Sequence, residues 1–158
     1  MKTKLLIIAS CALLLLAAGC KNQPETLGGS INKPAWQKPA EYDYSSSMTA
    51  VVKIDLLKDY PSMAMDWHLR ESDLLAAFIG DKCCGVASYN QVDSLFYLFI
   101  ADAADPALVD KQVTLRYWSA YYRNLFLATN VFPFVNDGQK GNADAPFVPV
   151  FVVEKREK

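Results

Sequence analysis

After Ser47 the chain breaks into short apolar stretches separated by turn-forming residues, and segments this short bury themselves most readily as strands of a sheet. Met48 to Asp55 alternates, setting Ala50, Val52 and Ile54 on one face and Thr49, Val51, Lys53 and Asp55 on the other. Leu74 to Ile79 and Cys83 to Tyr89 flank Gly80-Asp81-Lys82, a hairpin signal. Leu95 to Ala101 is almost continuously apolar, the pattern of a strand covered on both faces. In Gln112 to Trp118, Val113, Leu115 and Tyr117 oppose Thr114, Arg116 and Trp118, and further strands are expected at about 124–129 and 147–154. The predicted fold class is all-β, a sandwich of about seven strands over residues 48–158.

Two stretches also read as helix. Glu71 to Phe78 would serve as a capped helical start with Ser72 or Asp73 at the N-cap, and Ser119 to Leu127 mixes helix-tolerant residues with aromatics. Leu57 to Arg70, with Pro61, two methionines and Trp67, is expected to be an irregular or helical insertion.

The N-terminus carries a different signal. Met1-Lys2-Thr3-Lys4 precedes an apolar run from Leu5 to Ala18, a basic n-region and an h-region too short to span a bilayer comfortably. Ala17-Ala18-Gly19-Cys20 follows and resembles the lipobox of signal peptidase II substrates, with Leu16 four residues before the cysteine instead of three. That resemblance implies that residues 1–19 are removed and that Cys20 is acylated, giving a lipoprotein of the cell envelope, on the outer membrane, with its periplasmic or surface face left open. Removal of 19 residues from 158 leaves 139, one domain's worth, and loss of Lys2 and Lys4 takes the formal charge from −1 to −3. A weakly acidic chain without a basic run offers no footprint for nucleic acid or anionic lipid, and neither is expected as a partner. Residues 20–47, with Pro24, Pro34, Pro39 and Gly28-Gly29, read as a flexible tether, and Trp36 and Tyr42 within it are expected to tuck against the domain.

The strings Met48-Thr49-Ala50-Val51-Val52-Lys53-Ile54-Asp55 and Asp73-Leu74-Leu75-Ala76-Ala77-Phe78-Ile79-Gly80-Asp81-Lys82-Cys83-Cys84-Gly85-Val86-Ala87 resemble a module of Gram-negative envelope and secreted proteins. Leu95–Ile100 and Val113–Tyr117 follow in the module's order. The resemblance implies an immunoglobulin-like β-sandwich and favours strand over helix at Leu74–Ile79; it carries no common activity.

Little catalytic chemistry is legible. The single histidine, His68, rules out a His-based metal cluster, and Ser62, Ser72 and nearby aspartates form no triad signature. His68 is expected to be a surface or partly packed residue beside Trp67. The chain has no phosphate-cradling glycine loop, and neither cofactor nor metal is expected. Asn136 to Asp144 holds several oxygen donors, but without calcium-loop spacing it reads as a hairpin loop. Once Cys11 leaves and Cys20 is acylated, Cys83-Cys84 remains. A vicinal disulfide would be a strained redox device, and the simpler expectation is one sulfur in the core and the other outside. Were Cys84 the outer one, it could pair with a partner chain. Tyr117, Trp118, Tyr121 and Tyr122, between Arg116 and Arg123, form the densest aromatic cluster. Continued alternation would expose Trp118 beside Arg116, and Trp118, Tyr121, Tyr122 and Arg116 are the candidate ligand-binding residues. The expected function is a non-enzymatic, membrane-tethered binding or assembly module for envelope glycan or an envelope protein, with an accessory glycan hydrolase as the alternative.

Overall fold

The computed structural model describes residues 30–40, 44–61, 63, 67–102 and 111–153. The all-β expectation holds. Among the described residues nine strands, β1 (Ser47–Val52), β2 (Leu74–Ile79), β3 (Lys82–Asn90), β4 (Leu95–Ala101), β5 (Gln112–Ser119), β6 (Asn124–Ala128), β7 (Phe132–Pro133), β8 (Gln139–Lys140) and β9 (Phe151–Val153), accompany one short helix, α1 (Leu56–Asp59). They form one curled sheet in the order β8-β1-β4-β3-β2-β5-β6-β9, with β7 on β5. The sheet is mixed because β8 runs parallel to β1; the other pairings are antiparallel. Neither stretch that also read as helix is helical: 74–79 is β2, and 120–123 is a turn between β5 and β6.

The curl turns one face of the sheet inward on a single core. β1 contributes Met48, Ala50 and Val52, with Ile54 just beyond it; β2 contributes Leu75, Ala77 and Ile79; β5 contributes Val113, Leu115 and Tyr117. These are the inward sets that alternation predicts. Phe96, Leu98 and Ile100 of β4, Phe126 and Phe151 complete the centre, and Tyr117 stacks at 5.9 Å and 5.8 Å on the last two. β3 serves both halves: Lys82–Ser88 pairs with β2, and its end, Tyr89 and Asn90, with β4. Gly85 permits the tight curl, since a Cβ there would lie 2.3 Å from the Phe99 carbonyl oxygen.

The outer edge of β9 is closed by the insertion that follows β1. Phe151 N–H donates to Asp59 Oδ2 at 2.8 Å and Val153 N–H donates to the Tyr60 hydroxyl at 2.8 Å, which occupies two donors an open edge would offer to another strand. The rest of the 57–70 insertion described here is irregular.

Two expectations about covered faces are corrected. β4 is not covered on both sides, because Tyr97 and Phe99 stand 46 % and 44 % exposed. The strand buried at every position is β2. Its outer residues, Leu74 and Phe78, are covered because the segment from Ser30 to Ala40 lies against this face. Ile31 N–H donates to the Arg123 carbonyl at 2.6 Å, Ile31 and Trp36 pack against Leu74, Trp118 and Leu125, and Trp36 meets Phe78 edge to face at 5.9 Å. Trp36 thus tucks against the domain as expected; Tyr42 lies outside the described residues, as does Cys20.

Candidate functional site

The residues singled out from the sequence do not form one exposed surface. Trp118 is buried at 6 % exposure, and its Nε1–H donates to the Ile31 carbonyl at 3.4 Å. The alternation on β5 is as predicted, so Trp118 does point away from the main core. It is covered because residues 30–40 supply a second layer that strand alternation cannot reveal. Arg116, on the same face, lays its guanidinium 4.0 Å over the Phe78 ring. Tyr121 and Tyr122 belong to the β5–β6 turn, edge to face at 4.8 Å and both half-buried, with Tyr122 leaning toward Phe126 at 6.4 Å. The platform built on an exposed Trp118 is therefore overturned.

The cysteines separate as the simpler expectation had it, but Cys84 is the inner one. The β2–β3 register shifts after Ala77, pairing Ala77 with Gly85 and Phe78 with Cys83, so Cys84 is the extra residue of a bulge. Its side chain turns into the core at 1 % exposure, and Cys83 stays half-buried on the outer face beside Phe78 and the Gln37 backbone. Both thiols are free, and burial pushes both above the ordinary cysteine range. The structure removes both a vicinal bridge and an outward-facing Cys84.

Asp73 is fully buried, a feature the sequence reading used only as a candidate cap. Its carboxylate accepts from the Tyr117 hydroxyl at 2.7 Å, the Ala120 N–H at 2.8 Å and the Arg70 N–H at 3.0 Å, tying the start of β2 to the β5–β6 turn. Burial raises its pKa against the lowering effect of those three bonds, and burial followed by the Asp73 charge pushes the Tyr117 phenol well above its usual range. With no exposed surface, Asp73 cannot meet a substrate and works as a structural latch. His68 is exposed on the preceding loop, its ring 6.2 Å from Tyr121. Among the described residues no group of three or more His, Cys, Asp or Glu side chains is placed to hold a metal ion.

The outer face of β4 carries the remaining recognition chemistry. Tyr97 and Phe99, two residues apart, project from the same side of the strand, opposite Val51 and Thr49 of β1. Tyr44 extends the row, its ring 5.5 Å from Phe99. At one end the Tyr97 hydroxyl donates to the Asp93 carboxylate, which raises the Tyr97 pKa and fixes the ring's orientation. At the other end lies a shallow recess of about 190 Å³ lined by Tyr44, Ser45, Ser46, Ser47, Asn136 and Asp137. Its walls are backbone-locked: Asp137 N–H donates to the Ser47 carbonyl at 2.8 Å and Ser47 N–H to Asn136 Oδ1 at 3.3 Å. Asp137 holds a left-handed φ of 56°, a conformation Asp tolerates better than most residues. Three rings in a row beside hydroxyl, amide and carboxylate groups can stack on apolar ring faces while hydrogen-bonding a polar rim. The sequence signal for this row was present in the Tyr97-x-Phe99 spacing, but the surrounding apolar run concealed it.

With this geometry in view, no protein family, no curated protein and no solved structure matches the chain. The molecule is thus defined by its own architecture, an all-β domain with one covered and one open aromatic outer face.

Proposed function

We propose that this protein is a lipid-anchored envelope lipoprotein, acylated at Cys20, whose domain is a non-catalytic binding module for glycan. In this reading the curl works as an immunoglobulin-like sandwich, with β8-β1-β4 as the recognition half and β2-β5-β6-β9 as the supporting half. Sugar rings stack on Tyr97 and Phe99, and the serine, Asn136 and Asp137 groups of the recess receive hydroxyls at the end of the row. The observation that carries the reading is the pair of large rings left nearly half exposed side by side on a rigid strand, since exposed apolar rings in a cluster mark interaction surfaces. A protein partner would meet the same surface, but the polar recess at the end of the row favours a ligand dense in hydroxyl groups. For the alternative, an accessory hydrolase, no observation speaks: the buried carboxylate Asp73 is sealed and His68 stands on an outer loop.

Titration of the purified domain with soluble chito- and cello-oligosaccharides, read by amide NMR shifts, tests the reading. Shifts should centre on β4 and residues 44–47 and 136–137, and Phe99→Ala or Tyr97→Ala should weaken binding about tenfold. Shifts elsewhere, or affinity unchanged in both variants, would defeat it. The anchor is tested separately, by lipid on Cys20 in mass spectra of the membrane-extracted protein and release of Cys20→Ser from membranes.

A further inference from the structure

Where the chain enters the domain bounds how far the domain can stand from the membrane. Ile31 is tied to the β5–β6 turn by its 2.6 Å bond to the Arg123 carbonyl and by Trp118 Nε1 on its own carbonyl. Between Cys20 and Ser30 there are nine residues, Lys21 to Gly29. The eleven residue steps from Cys20 to Ile31 reach at most about 40 Å however they run. The β5–β6 turn therefore lies within that distance of a lipid carried on Cys20.

The strand registers show what shares that end. Leu74 pairs with Trp118 and with Ser88, and Ser119 with Asn124, so the starts of β2 and β6 and the end of β5 lie together. Ile79 pairs with Val113 at the other end of the same strands, and there too β1 begins opposite the end of β4, Ser47 against Ala101. The recess of Ser45–Ser47 and Asn136–Asp137 thus belongs to the end away from Ile31, separated by the length of β5, about 20 Å from Val113 to Ser119. The near end carries the exposed cations Arg70 and Arg123. Arg70 lies 4.9 Å over the Tyr121 ring, and Tyr122 packs edge to face beside Tyr121. Glu71 is an exposed acid beside Arg70, and the β3–β4 turn at the same end carries exposed Asp93.

We infer that this end, formed by Arg70, Tyr121 and Arg123, is a docking surface for phospholipid headgroups of the membrane that holds the anchor, and that it points the recess of Ser45–Ser47 and Asn136–Asp137 away from the bilayer. The occupant follows from the covalent tie of Cys20 to a membrane, and the choice of this end from the chemistry of the rim, since the reach of the tether exceeds the length of β5. Guanidinium groups pair with headgroup phosphates, and a tyrosine with an apolar body and a polar tip is suited to the interface. Headgroup phosphate adds contacts to an anchor that is already covalent, so weak individual contacts suffice to bias orientation. The inference rests on acylation of Cys20 and not on the glycan reading.

The test uses the full acylated chain in vesicles of phosphatidylethanolamine and phosphatidylglycerol, with a photo-crosslinking amino acid placed at Tyr121 or, in a second protein, at Asp137. Position 121 should crosslink to lipid several-fold more than position 137, and Arg70→Glu combined with Arg123→Glu should reduce that crosslinking several-fold while the thermal midpoint stays put. Equal crosslinking at both positions, or a preference for 137, overturns the orientation even with lipid confirmed on Cys20. Absence of lipid on Cys20 in the mass spectrum overturns the anchor and the orientation with it. With the label moved to position 122, loss of lipid crosslinking in Tyr121→Phe with Arg70 and Arg123 retained would show that the phenol tip and not the cations makes the contact, and would overturn the phosphate assignment.

Discussion

The outer faces of β4 and β5 start from the same arrangement and end differently. Each strand alternates, each sends an inward set into the common core, and each sends aromatic or cationic residues outward: Tyr97 and Phe99 from β4, Arg116 and Trp118 from β5. On β5 the residues at 30–40 supply a second layer, so Trp118 loses its water and Arg116 lies on Phe78. On β4 no such layer is laid over the rings, and Tyr97 and Phe99 keep 46 % and 44 % of their surface in water. An outward aromatic thus acquires its surroundings from what another part of the chain lays over it, and the two faces divide into one that is covered and one that stays open.

Breaking the covered side should cost most. Asp73→Ala leaves the Tyr117 hydroxyl and two backbone N–H groups without an acceptor inside the protein, and each orphaned donor costs on the order of 1–3 kcal/mol, so a loss of about 4 kcal/mol is expected. Chemical denaturation should show it as a lowered midpoint with an unchanged slope. Trp118→Ala should follow at about 3 kcal/mol, the lower end for a buried large aromatic because it sits in a small outer cluster. A loss below about 1 kcal/mol would mean that residues 30–40 do not cover this face in solution.

Trp36→Ala gives a sharper test of the same layer. The ring is half-buried, so the expected loss is smaller, about 1–2 kcal/mol. Cys83 lies beside the Gln37 backbone under this segment, and its reaction with a thiol reagent should accelerate in the variant, whereas Cys84, inside the core, should stay unreactive until unfolding.

The latch also predicts a pH dependence with a definite sign. The Asp73 pKa is raised in the folded state, by burial against its three hydrogen bonds, so its contribution favours folding most fully below the ordinary carboxylate value of 3.8 and is lost as pH rises from there through the folded pKa. Asp73→Asn, which cannot ionise, should flatten that part of the stability profile measured by denaturation across pH.

The smallest effect belongs to the open face. Phe99→Ala should change stability by no more than about 0.5 kcal/mol, because a ring already 44 % exposed and outside the core cluster contributes little to packing. A loss comparable to that of Trp118→Ala would erase the distinction between the two faces.

Alternation alone was enough to orient β1 and β5: Ala50, Val52 and Ile54, and then Val113, Leu115 and Tyr117, are inward because successive residues of a strand must face opposite ways. The hairpin at Gly80-Asp81 was equally local, and Gly80 takes a positive φ of 59° there. The fate of the second face was not local. A run as apolar as Leu95–Ala101 suggests cover on both sides, yet the cover went to β2, because residues 30–40 return across β2 and β5 through contacts such as Ile31 to Arg123, ninety-two residues away in the chain. The place of Cys84 turned on a bulge set by pairing with β2, and the role of Asp73 on the approach of the β5–β6 turn. A strand's own residues determine which way each side chain points; whether water or protein waits there depends on distant segments whose arrival is decided only when the whole core closes.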